Sequence, residues 1–188
     1  FAIWNTVDKS LFLARDYFGI KPLHYTQLPD GRLIYASEIK SILLHPDFVK
    51  EFNEKALDNY LSFQYSVPGE TFFKGVYCLP PAHYAWFREG RVTEHRYWES
   101  TFAPDESMTL DEAVDQIDTA FTNSVEAHRI SDVEVGCFLS GGVDSSYVAS
   151  YFKGQKAFTV GFDNGQHYNE CQFAAELAED IGIDHYQH

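Results

Sequence analysis

Residues 140–146 read Ser140-Gly-Gly-Val-Asp-Ser-Ser146, a run whose residue types suit the capture of an anion. Two adjacent glycines, Gly141 and Gly142, let main-chain N–H groups approach a phosphate closely. Ser140, Ser145 and Ser146 add hydroxyl donors. Asp144 supplies a carboxylate, the ligand type that holds a divalent cation against phosphate oxygens. The run lacks the Gly-Lys-Ser/Thr ending of a Walker-type loop, so any cradle it forms is of another kind. Ser, Gly and Asp between two regular elements also make ordinary turns. What raises this run above a turn is its setting.

That setting is a strand followed by a helix. Residues 133–139 are apolar and strand-like, and residues 146–152 read as a helix turning Val148, Tyr151 and Phe152 toward a core. A helix start after a glycine turn contributes unpaired donors and partial positive charge. Upstream, Thr109 and Glu112 have the spacing of a capping box. Leu110, Ala113, Val114, Ile117, Ala120, Phe121, Ser124 and Val125 recur at three and four, which predicts a helix of about five turns with one buried face. His128 and Arg129 at its end complement the helix dipole.

Downstream, residues 157–162 read as a second strand. Asn169 reads as the cap of another helix with Gln172 at the reciprocal position, and Phe173, Ala174, Leu177, Ala178 and Ile181 as its inward stripe. Gly182 ends that helix and residues 183–188 begin a third strand. Alternating strands and helices imply a parallel sheet with ligands at the carboxyl ends of its strands. The chain after Leu139 and after Val160 opens onto that edge.

The first hundred residues have a different grammar. Residues 1–6, 11–15, 23–27 and 33–36 are short, β-branched or aromatic segments separated by turn residues, and Pro29-Asp-Gly31 marks a hairpin. Ser37-Glu38 opens a short helix carrying Ile39, Ile42 and Leu43, which Pro46 stops. Asn53 caps a second helix with Ala56, Leu57, Tyr60 and Leu61 inward. Residues 72–77, 83–88 and 92–98 complete the strands, with Glu89-Gly90 turning the last pair. The adjacent Arg15 and Asp16 read best as an ion pair fixing a turn. The aromatics of residues 72–98 have no basic residues interleaved, so they read as packing rather than base stacking. Residues 100–107 are polar, contain a proline, and read as a connector.

Composition narrows the function classes. Hydrophobic content of 45% and aromatic content of 16% exclude disorder. With 28 acidic against 14 basic residues and a net charge of −14, the surface repels nucleic acid and anionic membrane, so neither is an expected partner. No segment reaches the roughly 18 apolar residues of a spanning helix. Cys78, Cys137 and Cys171 are widely spaced, which fits a reducing cytoplasm better than a disulfide scaffold or a zinc site. The scattered histidines show no metal-binding spacing. The chain opens on Phe1 inside a strand-like run and reads as a piece of a longer protein.

Two sets of motifs resemble known families. Residues 140–146 resemble the pyrophosphate loop of the ATP pyrophosphatases, and residues 131–146 together resemble glutamine-dependent asparagine synthetases. Residues 14–23 and 35–40 resemble two signatures of the class II glutaminase domain of the same enzymes. The resemblance implies the fold: an α+β glutaminase-type (N-terminal-nucleophile hydrolase) sandwich portion, followed by a truncated α/β parallel-sheet adenine-nucleotide domain. It also implies boundaries, with residues 1–100 as the end of the glutaminase domain, 101–108 as linker and 109–188 as the start of the synthetase domain.

Carried over by position, Leu139 and Val160 match adenosine-contacting residues, although each also reads as ordinary strand core. Ser140, Gly141, Gly142, Ser145 and Ser146 match the pyrophosphate cradle, and Asp144 the Mg2+-holding aspartate. Tyr168-Asn-Glu170 matches a Tyr-Asp-Glu segment with Asn169 in place of Asp. Glu134 stands where proline is usual, and Tyr186 where a second histidine is common. No cysteine is N-terminal, so this chain is not expected to hydrolyse glutamine, and alone it is expected to be inactive or only nucleotide-binding. For the parent, the resemblance implies ATP, aspartate and glutamine as substrates, Mg2+ as metal and a cytoplasmic enzyme, and it is compatible with a homodimer. A sister amide ligase that forms a β-lactam or a cyclic peptide, and a non-catalytic nucleotide-binding module, are the alternatives.

Overall fold

The computed structural model describes residues 1–152, 155–162 and 169–188. The chain divides into two units, Phe1–Ala103 and Pro104–His188.

In the first unit, short alternating segments become β1 (Ala2–Asn5), β2 (Ser10–Ala14), β3 (His24–Gln27) and β4 (Leu33–Ala36). Helices α1 (Ile39–Leu43) and α2 (Glu54–Phe63) follow, then β5 (Val76–Cys78), β6 (His83–Arg88) and β7 (Arg91–Arg96). Two antiparallel sheets result, ordered β1-β2-β6-β7 and β4-β3-β5. Alternation gives each strand of the first sheet two unlike faces. Leu11, Leu13 and Ala85 pack with Leu23, Tyr25 and Leu79 in the core. Phe12 lies on the other face, with ring centroids 5.4 Å from Tyr84 and 4.8 Å from Trp86.

Both expected hairpins form. Leu28 N–H donates to Arg32 O at 2.9 Å, with Gly31 at φ 88°. Glu89 and Gly90 both have positive φ, 48° and 73°, as a two-residue turn of the I′ type requires.

Three expectations in this unit need correction. Residues 72–77 do not form one strand. The Thr71 hydroxyl is bonded to the Phe73 and Val76 carbonyls at 3.1 and 2.8 Å, a local competitor for ladder pairing, and only Val76–Cys78 pairs with β3. On α2, Asn53 Oδ1 accepts the Ala56 N–H at 3.4 Å as a cap should, but Tyr60 and Leu61 remain 42% and 70% exposed. Arg15 and Asp16 both fix the turn without pairing. Each side chain goes to backbone groups instead.

The second unit contains α3 (Leu110–His128), β8 (Gly136–Phe138), α4 (Val143–Ser150), β9 (Lys156–Thr159), α5 (Cys171–Ile181) and β10 (Asp184–Gln187). The strands form a parallel sheet in the order β8-β9-β10. Cys137, Leu139, Ala157 and Ile183 pack with Ala149 of α4 and Ala174 and Ala178 of α5. The small residues on the helices let them sit close to the sheet. The opposite sheet face carries Phe138 and a stacked Phe158–Tyr186 pair, centroids 5.4 Å apart, and all three are exposed.

The capping box of α3 is complete: Thr109 Oγ1 accepts the Glu112 N–H at 3.3 Å and Glu112 Oε2 accepts the Thr109 N–H at 2.9 Å. Its expected buried face is not. Leu110, Val114 and Ile117 are exposed, and Val125 is the buried residue of the stripe. Phe121 contributes by stacking on Tyr147 at 4.3 Å. The reciprocal cap of α5 is also corrected. Glu170 holds the cap position, Asn169 Oδ1 accepts the Cys171 N–H at 3.0 Å, and Gln172 donates to Glu176. Phe173 is exposed rather than inward.

Candidate functional site

The expected strand over residues 133–139 shortens to Gly136–Phe138, and the expected helix start at 146 moves forward to Val143. The consequence is chemical. Asp144, Ser145 and Ser146 occupy the first turn of α4 instead of a loop ahead of it. The first helical bond runs from Ser146 N–H to Gly142 O at 3.0 Å, so the N–H groups of Val143, Asp144 and Ser145 are the unpaired donors of the helix end. Such donors form a face suited to an anion without any basic side chain.

The two glycines do different work. Gly141 has φ +78°, and a Cβ there would lie 2.9 Å from Phe173 Cβ. Gly142 has ordinary extended backbone, φ −77° and ψ 159°, and a Cβ would meet only Ser140 Oγ at 3.5 Å. Steric demand therefore falls on Gly141 alone.

Ser145 closes the loop on itself. Its Oγ accepts the Ser140 N–H at 3.2 Å, contacts Ser140 Oγ at 3.0 Å and donates to Gly142 O at 3.1 Å. The hydroxyl holds the loop shape, and the Ser140 N–H is turned inward.

A cleft of about 250 Å³ opens beside the loop, lined by residues that include Leu139, Ser140, Ser145, Val160, Phe162 and Glu170. Leu139 is fully buried and Val160 is 62% exposed. The cleft thus gathers Leu139, Ser140, Ser145 and Val160, while Gly141, Gly142, Asp144 and Ser146 stand on the adjoining turn. Phe162 and Glu170 were missed as lining residues; Glu170 alone had a signal, in its Tyr-Asn-Glu segment. Tyr168 of that segment lies outside the described residues. Among the described residues no three His, Cys, Asp or Glu side chains gather as a metal cage. The exposed Asp144 carboxylate fits a cation that takes its remaining oxygens from phosphate and water, as Mg2+ commonly does.

The two departures in this unit have structural partners. Glu134 pairs with Lys156 at 2.6 Å. Tyr186 stacks on Phe158 with ring centroids 5.4 Å apart, while His185 before it contacts the buried Thr159 hydroxyl through Nε2 at 2.7 Å.

The first unit holds a separate cavity of about 830 Å³, lined by residues that include Phe12, Arg15, Asp16, Tyr35, Tyr84 and Tyr97. Arg15 organises its rim. Its guanidinium donates to Lys21 O at 3.0 Å, Leu79 O at 2.7 Å and Gly19 O at 2.8 Å. The Asp16 carboxylate accepts the N–H groups of Phe18, Ile20 and Lys21, and these backbone bonds, Ile20 foremost, hold it below the usual carboxylate range. Asp16 is thereby engaged in structure, as the turn-fixing reading expects. Beside Arg15 sits Cys78, whose thiol is also in reach of His24.

A mixed α/β chain with antiparallel sheets first and a parallel sheet bearing an anion-type loop second fits a glutaminase domain followed by the start of a nucleotide domain. Residues 1–98 match the glutamine amidotransferase domain family, and the chain belongs to that family. Residues 116–188 match the asparagine synthase family. The chain is 38% identical to asparagine synthetase [glutamine-hydrolyzing] 1 of Bacillus subtilis strain 168, covering 98% of this chain and 29% of that protein. It is 34% identical to asparagine synthetase [glutamine-hydrolyzing] 3 of the same organism, over 82% of this chain and 25% of the relative. It is also 30% identical to amidase chry2 of Gibberella zeae, over 98% of this chain and 30% of the relative. The chain therefore spans under a third of the length of these curated relatives.

Proposed function

We propose that the complete protein is a glutamine-dependent asparagine synthetase, a carbon–nitrogen ligase that activates aspartate with ATP. The observation that carries this reading is the turn from β8 into α4, where a positive-φ glycine, unpaired helix N–H groups and Asp144 stand beside a cleft that Ser140 and Ser145 line. In this reading Ser140, Gly141, Gly142, Ser145 and Ser146 shape the pyrophosphate cradle, and Leu139 and Val160 border the adenosine. Asp144 holds Mg2+, which when bound neutralises charge on the phosphates.

The aspartate carboxylate attacks the α-phosphate of ATP; the new C–O–P bond forms as the bond to the β-phosphate oxygen breaks, leaving pyrophosphate. Ammonia from glutamine then attacks the acyl carbon, AMP leaves, and the amine loses a proton to give the amide. Charge gathers on the departing pyrophosphate, where fixed N–H donors lower the barrier most. The first unit belongs, in this reading, to an N-terminal-nucleophile sandwich that releases the ammonia. A cytoplasmic homodimer is the assembly proposed with it.

The test is pyrophosphate release by the complete protein with Mg-ATP and aspartate, supplied with ammonia or with glutamine. Release with both donors, with asparagine formed, is expected. A sister amide ligase with another acceptor is the second reading, kept because the Gibberella zeae relative with the different name amidase also matches over 98% of this chain. Pyrophosphate release that ignores aspartate but responds to a different carboxylate would select it. ATP binding without pyrophosphate release from any carboxylate would leave a nucleotide-binding module.

A further inference from the structure

The parallel ladder between β8 and β9 stops one residue early, and a side chain stops it. Phe138 pairs with Phe158, and Leu139 N–H donates to Phe158 O at 2.9 Å. The next bond of a parallel ladder would run from Val160 N–H to Leu139 O. Instead Thr159 Oγ1 donates to Leu139 O at 2.5 Å. On the other side the pairing continues, with His188 N–H on Thr159 O at 3.0 Å and Gly161 N–H on His188 O at 2.8 Å. Those two bonds turn the Val160 N–H toward β8, and among the described residues it has no backbone acceptor.

The direction of the Thr159 hydroxyl is itself fixed. Thr159 is 4% exposed and its one proton goes to Leu139 O. The 2.7 Å contact with His185 Nε2 must then have the ring N–H donating to Oγ1. Gln187 Nε2 lies 3.3 Å from His185 Nδ1 and donates to a ring nitrogen that bears no proton. His185 on β10, Thr159 on β9 and the Leu139 carbonyl beyond β8 thus form one relay across all three strands, directly beneath the loop.

We propose that Thr159 is a positioning residue that makes this cleft select adenine over guanine. By taking the Leu139 carbonyl out of the ladder, its hydroxyl leaves the Val160 N–H without a backbone acceptor among the described residues, at a cleft that Leu139 and Val160 both line. A free backbone N–H pairs with the bare N1 of adenine and is opposed by the N1–H of guanine. A site built around a hydrogen bond rejects a ligand that cannot complete it, because its own group is left unpaired. This inference rests on the nucleotide-site reading above.

The test measures Mg-ATP and Mg-GTP affinities of the complete protein as wild type, Thr159→Val and Thr159→Ser, with melting temperatures as a folding control. The wild type is expected to prefer ATP; Thr159→Val lets the Leu139 carbonyl recapture the Val160 N–H and loses about tenfold or more of that preference. Thr159→Ser restores it. An unchanged ATP preference in a folded Thr159→Val protein overturns this inference alone, whereas absence of ATP binding by the wild type overturns the nucleotide reading with it. Nitrogen NMR of the histidine rings, recorded without nucleotide, is expected to show His185 protonated at Nε2 in the wild type and the serine variant. Protonation at Nδ1 instead would break the relay.

Discussion

Arg15 Nη1 lies 3.3 Å from Cys78 Sγ, and His24 stands directly opposite Cys78 where β3 pairs with β5. One thiol therefore has two basic neighbours. Burial pushes the Cys78 thiol up, but the His24 hydrogen bond and the Arg15 and His24 charges outweigh it, and the net shift is down. His24 moves the opposite way: its bond to the thiol raises it more than burial lowers it. Cys137 has no such partners, and burial raises it. Since the thiolate is the nucleophile, iodoacetamide at neutral pH should label Cys78 about tenfold or more faster than Cys137 in the folded protein. The Cys78 rate should also begin to rise at lower pH, because its ionisation comes earlier. Peptide mass spectrometry checks both, and His24→Ala should narrow the gap. Equal labelling rates would show that the two basic groups leave the thiol unaffected.

Arg15→Ala removes the donors that hold three carbonyls, those of Gly19, Lys21 and Leu79. Lost charge-assisted bonds and stranded carbonyls cost about 1–3 kcal/mol in a half-buried setting. A urea titration should show a lower midpoint with an unchanged slope. Arg15→Lys should recover only part of the loss, because a single ammonium cannot span three acceptors from one position.

The contrast between Arg15 and Asp16 also shows where sequence stops being informative. Adjacent opposite charges suggest an ion pair, yet neighbouring side chains on extended chain point to opposite sides, and both end on backbone. Local features were legible: the Thr109–Glu112 capping box and the Glu89-Gly90 turn are settled within four residues. The α3 stripe was legible as a pattern but not as burial, because what covers Leu110, Val114 and Ile117 is not written in their spacing. The Ser and Gly residues of the turn between β8 and α4 were legible by type. Their division of labour was not, since the Ser145 hydroxyl faces inward only because α4 starts at Val143. Thr159 looked like one more strand residue, and only the ladder shows what its hydroxyl displaces.

Gly141 and Gly142 give a prediction that separates stability from binding. Gly141→Ala forces a side chain into positive φ and places its Cβ 2.9 Å from Phe173 Cβ. Left-handed backbone alone costs about 1–2 kcal/mol, so a clear drop in unfolding midpoint is expected. Gly142→Ala meets no such strain and should cost less. If close backbone approach to a phosphate is the reason for the second glycine, Gly142→Ala should still weaken Mg-ATP binding by the complete protein. Calorimetry beside denaturation distinguishes the two effects.

Asp144 sits exposed in the first turn of α4 and makes no contact that the core of this unit needs. Asp144→Ala should therefore leave circular dichroism and the thermal transition close to wild type. What it removes is the one carboxylate on the turn from β8 into α4, and with it, in the proposed reading, the anchor for Mg2+ on the departing pyrophosphate. Loss of a single preorganised stabiliser of transition-state charge typically lowers a rate by about 10²–10³. Pyrophosphate release by the complete protein should fall by that order, and Asp144→Asn should not restore it, since an amide oxygen carries no net charge to hold the cation. Higher Mg2+ should recover part of the activity in the variant if the defect is metal affinity. A rate equal to wild type at limiting Mg2+ would move the metal site away from this turn.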